Sequence, residues 1–230
     1  MVVRREGITV VGGGGGALGS AVVHRLVAAG RPVVVPSRHP GRSAPIEGVT
    51  EIQCDLDDLE SVARLRNTID AMGAWKALVS ASGGYVGGRA HEVEDSVIEG
   101  QIAANLLGPW RLARAAAASM VAGGAGGRIV IVASRAAVEV TRGQAAYQVS
   151  KAAVLKLAQV MAAELQGRGI TVNAVLPGTM DTPANRASFP ATTDFSKWPS
   201  VADVAETVAF LASPENRVTR GALVPVYGKS

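Results

Sequence analysis

Short apolar runs rich in β-branched residues alternate along the chain with longer stretches in which apolar positions recur at spacings of three and four. The short runs, 7–11, 33–36, 50–54, 76–80, 127–133, 170–175 and 222–226, read as strands, and their near-continuous apolar character suits parallel strands buried on both faces. Between them, 17–29, 57–72, 92–121, 144–166 and 201–212 read as helices, the third with a bend near Gly108-Pro109. In the first helix Leu18, Ala21, Val22, Leu26 and Ala29 share a face, and Gly30 supplies the stop. The last has Ser200 as its N-cap, with Asp203 three residues on. Strand and helix alternate throughout, which predicts an α/β fold: one doubly wound domain over 1–230, with a seven-stranded parallel sheet and helices on both faces. The one long irregular stretch, 182–199, carries Pro183, Pro190 and Pro199 with Phe189, Phe195 and Trp198, and is a candidate substrate lid.

Composition narrows the class. Hydrophobic residues make up 48% and charged residues 18% of the 230, which excludes a disordered or fibrous chain and leaves enough apolar surface for a core. Aromatics are only 4%, so small aliphatic side chains must carry the helix–sheet contacts. The 23 basic and 19 acidic residues are dispersed, giving +4 without a basic face, which argues against nucleic acid and suits a small anionic ligand. Cys54 is the only cysteine and no Cys/His cluster has metal-ligand spacing, so a reducing compartment and a metal-free site are expected. His24, His39 and His91 read as surface residues. Arg4-Arg5 before an apolar run resembles the start of an export signal, but Glu6 and five glycines interrupt it. No apolar run reaches the roughly 18 residues of a membrane span, so the expected location is the cytoplasm, with no membrane partner.

The strand ending at Val11 leads through Gly12-Gly13-Gly14-Gly15-Gly16-Ala17-Leu18-Gly19 directly into a helix, presenting backbone amides at a positive helix end, the geometry that binds phosphate. Gly14, Gly16 and Gly19 fit G-x-G-x-x-G, while Gly13, Ala17 and Gly19 fit a wider G-x-x-x-[GA]-x-G frame, and both stay open. In this context the turn predicts a Rossmann-type dinucleotide site touching Gly13, Gly16, Ala17, Leu18 and Gly19. An NAD site usually carries an acid near the end of the second strand. Here that end reads Pro36-Ser37-Arg38, so Arg38, with Arg42 a second partner, favours the 2′-phosphate of NADP(H), NAD(H) remaining possible. Asp55 and Leu56 follow the third strand where adenine would lie, and Asp55 is also a candidate N-cap for the next helix.

Tyr147 and Lys151, at i and i+4 near a helix start, share a face. A lysine ammonium beside a phenol stabilises the phenolate, so the pair predicts a tyrosine with a lowered pKa that exchanges protons. Ser134 lies immediately after the buried run 128–133, thirteen residues before Tyr147. Glycine turn, Ser134, Tyr147 and Lys151 together resemble the short-chain dehydrogenase/reductase family, over essentially the whole stretch from Gly12 to Tyr227. The resemblance implies a catalytic tetrad. Tyr147 would donate or accept the proton, Ser134 would polarise the substrate carbonyl, and Lys151 would also bind the nicotinamide ribose. Asn105, in Ala104-Asn105-Leu106-Leu107-Gly108, would hold a water in the proton relay. It also implies that Pro177, Gly178, Thr179, Met180 and Thr182 clasp the nicotinamide, that Ser82 and Gly83 border the adenosine ribose, and that Asn173 is structural.

Two departures stand out: Ser80-Ala81-Ser82-Gly83 replaces the usual Asn-Asn-Ala-Gly, and Ala17 replaces the middle glycine of the turn. Gly83-Gly84-Tyr85-Val86-Gly87-Gly88 and the segment from Leu176 to Trp198 look in detail like the dihydropteridine reductase group, which uses mainly NADH and lacks a serine at the position of Ser134. With Ser134 present and no acid at Ser37, the expected activity is NADPH-dependent reduction of a carbonyl or imine of a small organic substrate, reversibly an alcohol dehydrogenase. The alternatives are a quinonoid pterin reductase and an NADP(H)-binding redox sensor. The resemblance further implies a pocket walled by Tyr85, Val86, Arg135, Ala136, Val138, Gln144 and the lid, and a homodimer or homotetramer built on the long helices and last strand.

Overall fold

The computed structural model describes residues 7–42 and 44–229. Seven strands, β1 (Ile8–Gly12), β2 (Val33–Ser37), β3 (Val49–Gln53), β4 (Trp75–Ser80), β5 (Gly127–Val132), β6 (Ile170–Pro177) and β7 (Leu223–Val226), form one parallel sheet in the order β3-β2-β1-β4-β5-β6-β7. Each lies within two residues of its predicted bounds, because parallel strands covered on both faces leave continuous apolar runs in the sequence. The helices are α1 (Ala17–Ala28), α2 (Leu59–Met72), α3 (Asp95–Ile102), α4 (Gly108–Gly123), α5 (Ala145–Glu164), α6 (Pro183–Ala187) and α7 (Val201–Leu211).

Two apolar layers sandwich the sheet. One joins Val10, Leu78 and Ile129 to α2, α4 and α5 through Leu65, Leu112 and Val154, and the other joins Val11, Val79 and Val130 to α1 and α7 through Val22 and Val208. The alanines Ala113, Ala116 and Ala158 are buried at these contacts, so the helices lie close to the strands. Strand order reverses between β1 and β4, the place where a doubly wound sheet opens a crevice at its carboxyl edge.

The long predicted helix is divided. Between α3 and α4 residues Ala103–Leu107 form a π-helical segment, one turn earlier than the expected bend. Pro109 explains the offset, since it has no N–H for the carbonyl of Asn105 four residues back and its ring crowds that carbonyl, so the strain falls on the preceding turn. The helix after β3 is capped by Asp58, whose side chain accepts from the Glu60 N–H at 2.9 Å, and not by Asp55. Asp55 instead accepts from the Asp57 N–H at 3.0 Å, a turn just outside the helix. Ser200 and Asp203 form the full capping box on α7. Stretch 182–199 is less irregular than its prolines suggest: Thr182 caps α6, with Pro183 in its first turn, and Asp194 caps a 3₁₀ turn at Phe195–Lys197.

Leu112 is fully buried, and its side chain reaches the backbone of Gly12, where an added Cβ would lie 2.6 Å from it. Leu112→Ala is expected to lower unfolding free energy by about 3 kcal/mol, read as a reduced midpoint in urea denaturation with unchanged slope.

Candidate active site

A cleft of about 380 Å³ opens at the crossover between β1 and β4, lined among others by Gly13, Gly16, Arg38, Asp55, Leu56, Ser82 and Gly83. Steric demands resolve the glycine frame. Gly13 has φ +80°, and an added Cβ would lie 2.6 Å from the Ser82 nitrogen; at Gly19 a Cβ would lie 2.0 Å from the Gly13 carbonyl oxygen. At Gly15 a Cβ would meet nothing within 4 Å, and at Gly16 only the Gly13 oxygen at 3.4 Å. Gly14 is crowded as well, a Cβ there lying 2.7 Å from Val35 Cγ1, but by a side chain, whereas Gly13 and Gly19 face backbone atoms and Gly13 also needs its positive φ, so the wider frame of Gly13, Ala17 and Gly19 is the one that the backbone requires. Ala17 starts α1, while Leu18 and Gly19 are buried beneath the turn.

The residues present fit a dinucleotide. Helix α1 has no acidic residue in its first turn and no side-chain cap, so its leading amides face the cleft's end as an anion receptor. Ser82 Oγ is buried and has no hydrogen-bond partner among the described residues. Arg38 is exposed on the cleft wall and pairs with no carboxylate among the described residues. Ser37 accepts from the His39 N–H at 3.2 Å, and so holds the turn that carries Arg38. Arg42 is exposed beyond it. Sequence reasoning did not single out Asp57 or Gly108, which also line the cleft; Gly108 carries only a helix-bend signal, and Asp57 reads as an ordinary helix-start acid.

Tyr147 and Lys151 project from the first turns of α5 toward the carboxyl end of β5. Lys151 is buried, donates to the Val132 carbonyl at 3.2 Å, and has its Nζ 6.0 Å from the centre of the Tyr147 ring. A Cβ on Gly83 would sit 3.3 Å from that Nζ, so the ammonium reaches the cofactor cleft. Burial pushes the Lys151 pKa down to about 8. Contrary to the expectation from spacing, Lys151 does not bring the Tyr147 pKa below its ordinary value. Burial raises the Tyr147 pKa, the Ser134 hydroxyl pulls it the other way, and Tyr85 adds to the rise. The ammonium is engaged by a backbone carbonyl and lies six ångströms from the ring, too far to outweigh desolvation. Ser134 accepts from the Ala136 N–H at 3.1 Å, which leaves its own proton free to face the phenol.

Asn105 is fully buried within the π-helical segment. Its Oδ1 accepts from Gly84 N–H at 2.9 Å, and its Nδ2 lies 3.0 Å from the Gly84 carbonyl, 3.2 Å from Gln101 Oε1 and 3.0 Å from Ser150 Oγ. Ser150 in turn donates to the Tyr147 carbonyl at 2.8 Å. The side chain expected to hold a water is thus occupied by protein partners, and it ties the loop after β4 to the backbone of Tyr147. A Cβ on Gly83 would lie 2.4 Å from Asn105 Oδ1. Gln101 and Ser150 were missed, although Ser150 sits inside the tyrosine–lysine motif and is a polar residue on a buried helix face.

Pro177 ends β6 and Gly178 N–H donates to the Val226 carbonyl at 3.0 Å. Thr179 is exposed and Met180 packs at the edge of the apolar layer. Thr182 is buried and spends its oxygen on the Asn185 N–H at 3.1 Å, capping α6. These residues do not line the glycine-turn cleft but border the neighbouring strand end. Beyond them Phe189 and Phe195 each pack edge-on against Trp198, at 4.9 and 4.8 Å, so these rings face one another. Tyr85 instead lies 5.1 Å from the Tyr147 ring. Asn173 joins β6 to the segment before β7, donating to the Thr219 carbonyl and accepting from Ala222 N–H.

Lys151 links the site to stability. Its folded pKa of about 8 lies below the unfolded value of 10.5, so the unfolded chain binds more protons between those values, and this group's contribution to stability rises with pH across that window. In chemical denaturation without cofactor, the wild type is expected to gain on Lys151→Met by up to about 1.4 kcal/mol per pH unit above pH 8, with a constant difference below. Parallel curves from pH 7 to 9.5 would exclude a depressed lysine.

Residues 7–193 match the short chain dehydrogenase family. The 3-oxoacyl-[acyl-carrier-protein] reductase MabA of Mycobacterium bovis is 32% identical over 231 residues, covering 95% of this chain and 90% of that protein. The cyclic-di-GMP-binding biofilm dispersal mediator protein of Escherichia coli is 32% identical over 232 residues, covering 96% and 95%. A solved short-chain type dehydrogenase/reductase from Mycobacterium ulcerans superposes with a TM-score of 0.88 at 28% identity, over 97% of this chain and 89% of that one. With the sheet order, the cleft and these relatives in agreement, the chain belongs to the short-chain dehydrogenase/reductase family of NAD(P)-dependent oxidoreductases.

Proposed function

We propose that this enzyme is an NADPH-dependent reductase of a carbonyl or imine on a small organic substrate, working in reverse as an alcohol dehydrogenase. The convergence of Tyr147, Ser134 and Lys151 beside Gly83 carries the reading. The bound reduced nicotinamide supplies the hydride. Ser134, whose hydroxyl proton is not tied to the backbone and faces the phenol, turns it to the substrate oxygen as negative charge builds there, so its contribution is largest in the transition state. Tyr147 delivers the proton. Its raised pKa keeps the phenol protonated at neutral pH, ready to act as an acid. Lys151, its pKa brought down to about 8 by burial, places a cation at the cofactor cleft beside this pair. Asn105 acts on this set through Ser150 and Gly84 as a positioning residue.

Gly13, Gly16, Ala17, Leu18 and Gly19 build the pyrophosphate turn, Arg38 with Ser37 receives the 2′-phosphate, and Asp55 and Leu56 border the adenine. Ser82 and Gly83 meet the adenosine ribose, and Pro177, Gly178, Thr179, Met180 and Thr182 border the nicotinamide. The exposed Tyr85, Val86 and Val138 give an apolar mouth, with 182–199 as its lid. The exposed Trp110, Val121 and Val160 on α4 and α5 support assembly as a homodimer or homotetramer.

The name of the Escherichia coli relative favours a second reading, a nucleotide-binding sensor. A substrate panel separates the readings. It should include simple ketones, a 3-oxoacyl thioester suggested by the Mycobacterium bovis relative, and a quinonoid dihydropterin suggested by the loop 83–88. Turnover of a carbonyl substrate is expected; tight NADPH binding with no turnover on any of them favours the sensor.

Tyr147→Phe is expected to lower kcat by at least about 100-fold while leaving NADPH affinity near wild type, measured by steady-state kinetics and fluorescence titration. Equal losses in both would remove the proton role. Arg38→Ala is expected to raise KM for NADPH roughly 10- to 100-fold and to leave KM for NADH little changed, the size of a lost charge-assisted phosphate contact.

A further inference from the structure

Tyr85 occupies the loop that leaves β4 and is 59% exposed, yet its ring stands edge-on to that of Tyr147, with centroids 5.1 Å apart and planes at 77°. The loop is glycine-rich but fastened at both ends. Gly84 exchanges two hydrogen bonds with Asn105, at 2.9 and 3.0 Å. Gly88 donates to the Gly143 carbonyl at 2.7 Å and accepts from Ala145 N–H at 3.1 Å, where the helix bearing Tyr147 begins. Between these ties the Tyr85 hydroxyl folds over Gly87, where an added methyl carbon would lie 3.0 Å from it. The backbone bonds fix the loop that carries the ring, and the ring itself rests edge-on against Tyr147.

We infer that Tyr85 is a positioning residue for the reduction: its ring fixes the orientation of the Tyr147 phenol and covers one flank of it, so that substrate meets the proton donor in one geometry. An edge-to-face pair contributes about 0.5–1.5 kcal/mol beyond burial, enough to hold one ring orientation over others. The groups facing the Tyr147 phenol are Tyr85 from this loop, Ser134 from the end of β5 and Lys151 from its own helix. Burial and Tyr85 raise the phenol's pKa and Ser134 opposes them, so removing the Tyr85 ring lets the phenol titrate at lower pH. The inference rests on the reading of Tyr147 as the proton donor.

The test uses the full-length protein with its tyrosines labelled with ¹³C at Cζ, the Tyr147 signal being assigned by its loss in Tyr147→Phe. The titration midpoint and the pH profile of kcat for reduction are measured for wild type, Tyr85→Ala and Tyr85→Phe. Tyr85→Ala is expected to lower the Tyr147 midpoint by about half to one pH unit, move the alkaline limb of kcat down with it, and lower kcat about 10-fold at unchanged KM for NADPH. Tyr85→Phe keeps the ring and is expected to restore kcat to within about twofold, with most of the midpoint. An unmoved midpoint in Tyr85→Ala, or a Phe variant as impaired as the Ala variant, overturns the inference alone. A midpoint that moves while the kcat limb stays overturns the proton role of Tyr147 and this inference with it.

Discussion

A lysine ammonium shut away from water at the end of β5 is the constraint around which the site is arranged. Lys151 is 6% exposed and its described hydrogen bond is to the Val132 carbonyl. Such a charge is unfavourable in the folded protein, and a well-packed apolar residue would serve stability better. Its place forces others. Gly83 has no side chain to obstruct it, Asn105 fastens the loop that carries Gly83, and Ser150 extends the same network to the backbone of Tyr147. The desolvation penalty accepted by the fold at this point leaves a phenol, a hydroxyl and a cation close together beside Gly83.

Much of this was legible beforehand because the relevant signals are local. Strand runs buried on both faces, the glycine turn before an amphipathic helix, and the i, i+4 pair of Tyr147 and Lys151 each declare themselves within ten residues. Glycine frames were not separable, because the demand on Gly13 comes from Ser82 and that on Gly19 from Gly13 itself, contacts across space that a run of identical residues conceals. Asp55 and Asp58 posed the same difficulty: both are acids at a helix start, and only the bond to Glu60 N–H tells them apart.

The phenol's electrostatics could not be read from spacing. A charge one helical turn away suggests a lowered pKa, but whether it wins depends on burial and on where the ammonium points, and here desolvation is the larger effect. Pro109 marked a bend correctly and misplaced it, since its effect lands on the carbonyl of Asn105. That displacement puts the irregular turn under the very asparagine that clamps the loop, so a proline outside the site shapes a residue within it.

The segment after β6 carries a small cluster of its own. Phe189 and Phe195 rest on Trp198, the Arg186 guanidinium lies over Phe195 while gripping Asp181 with two nitrogens at 2.5 and 2.7 Å, and Asp181 bridges to Ser200 at the foot of α7. Its rings lean on each other instead of on the sheet. Aromatic exchanges can therefore reshape this segment one ring at a time, while the glycine turn and the buried cation keep their form.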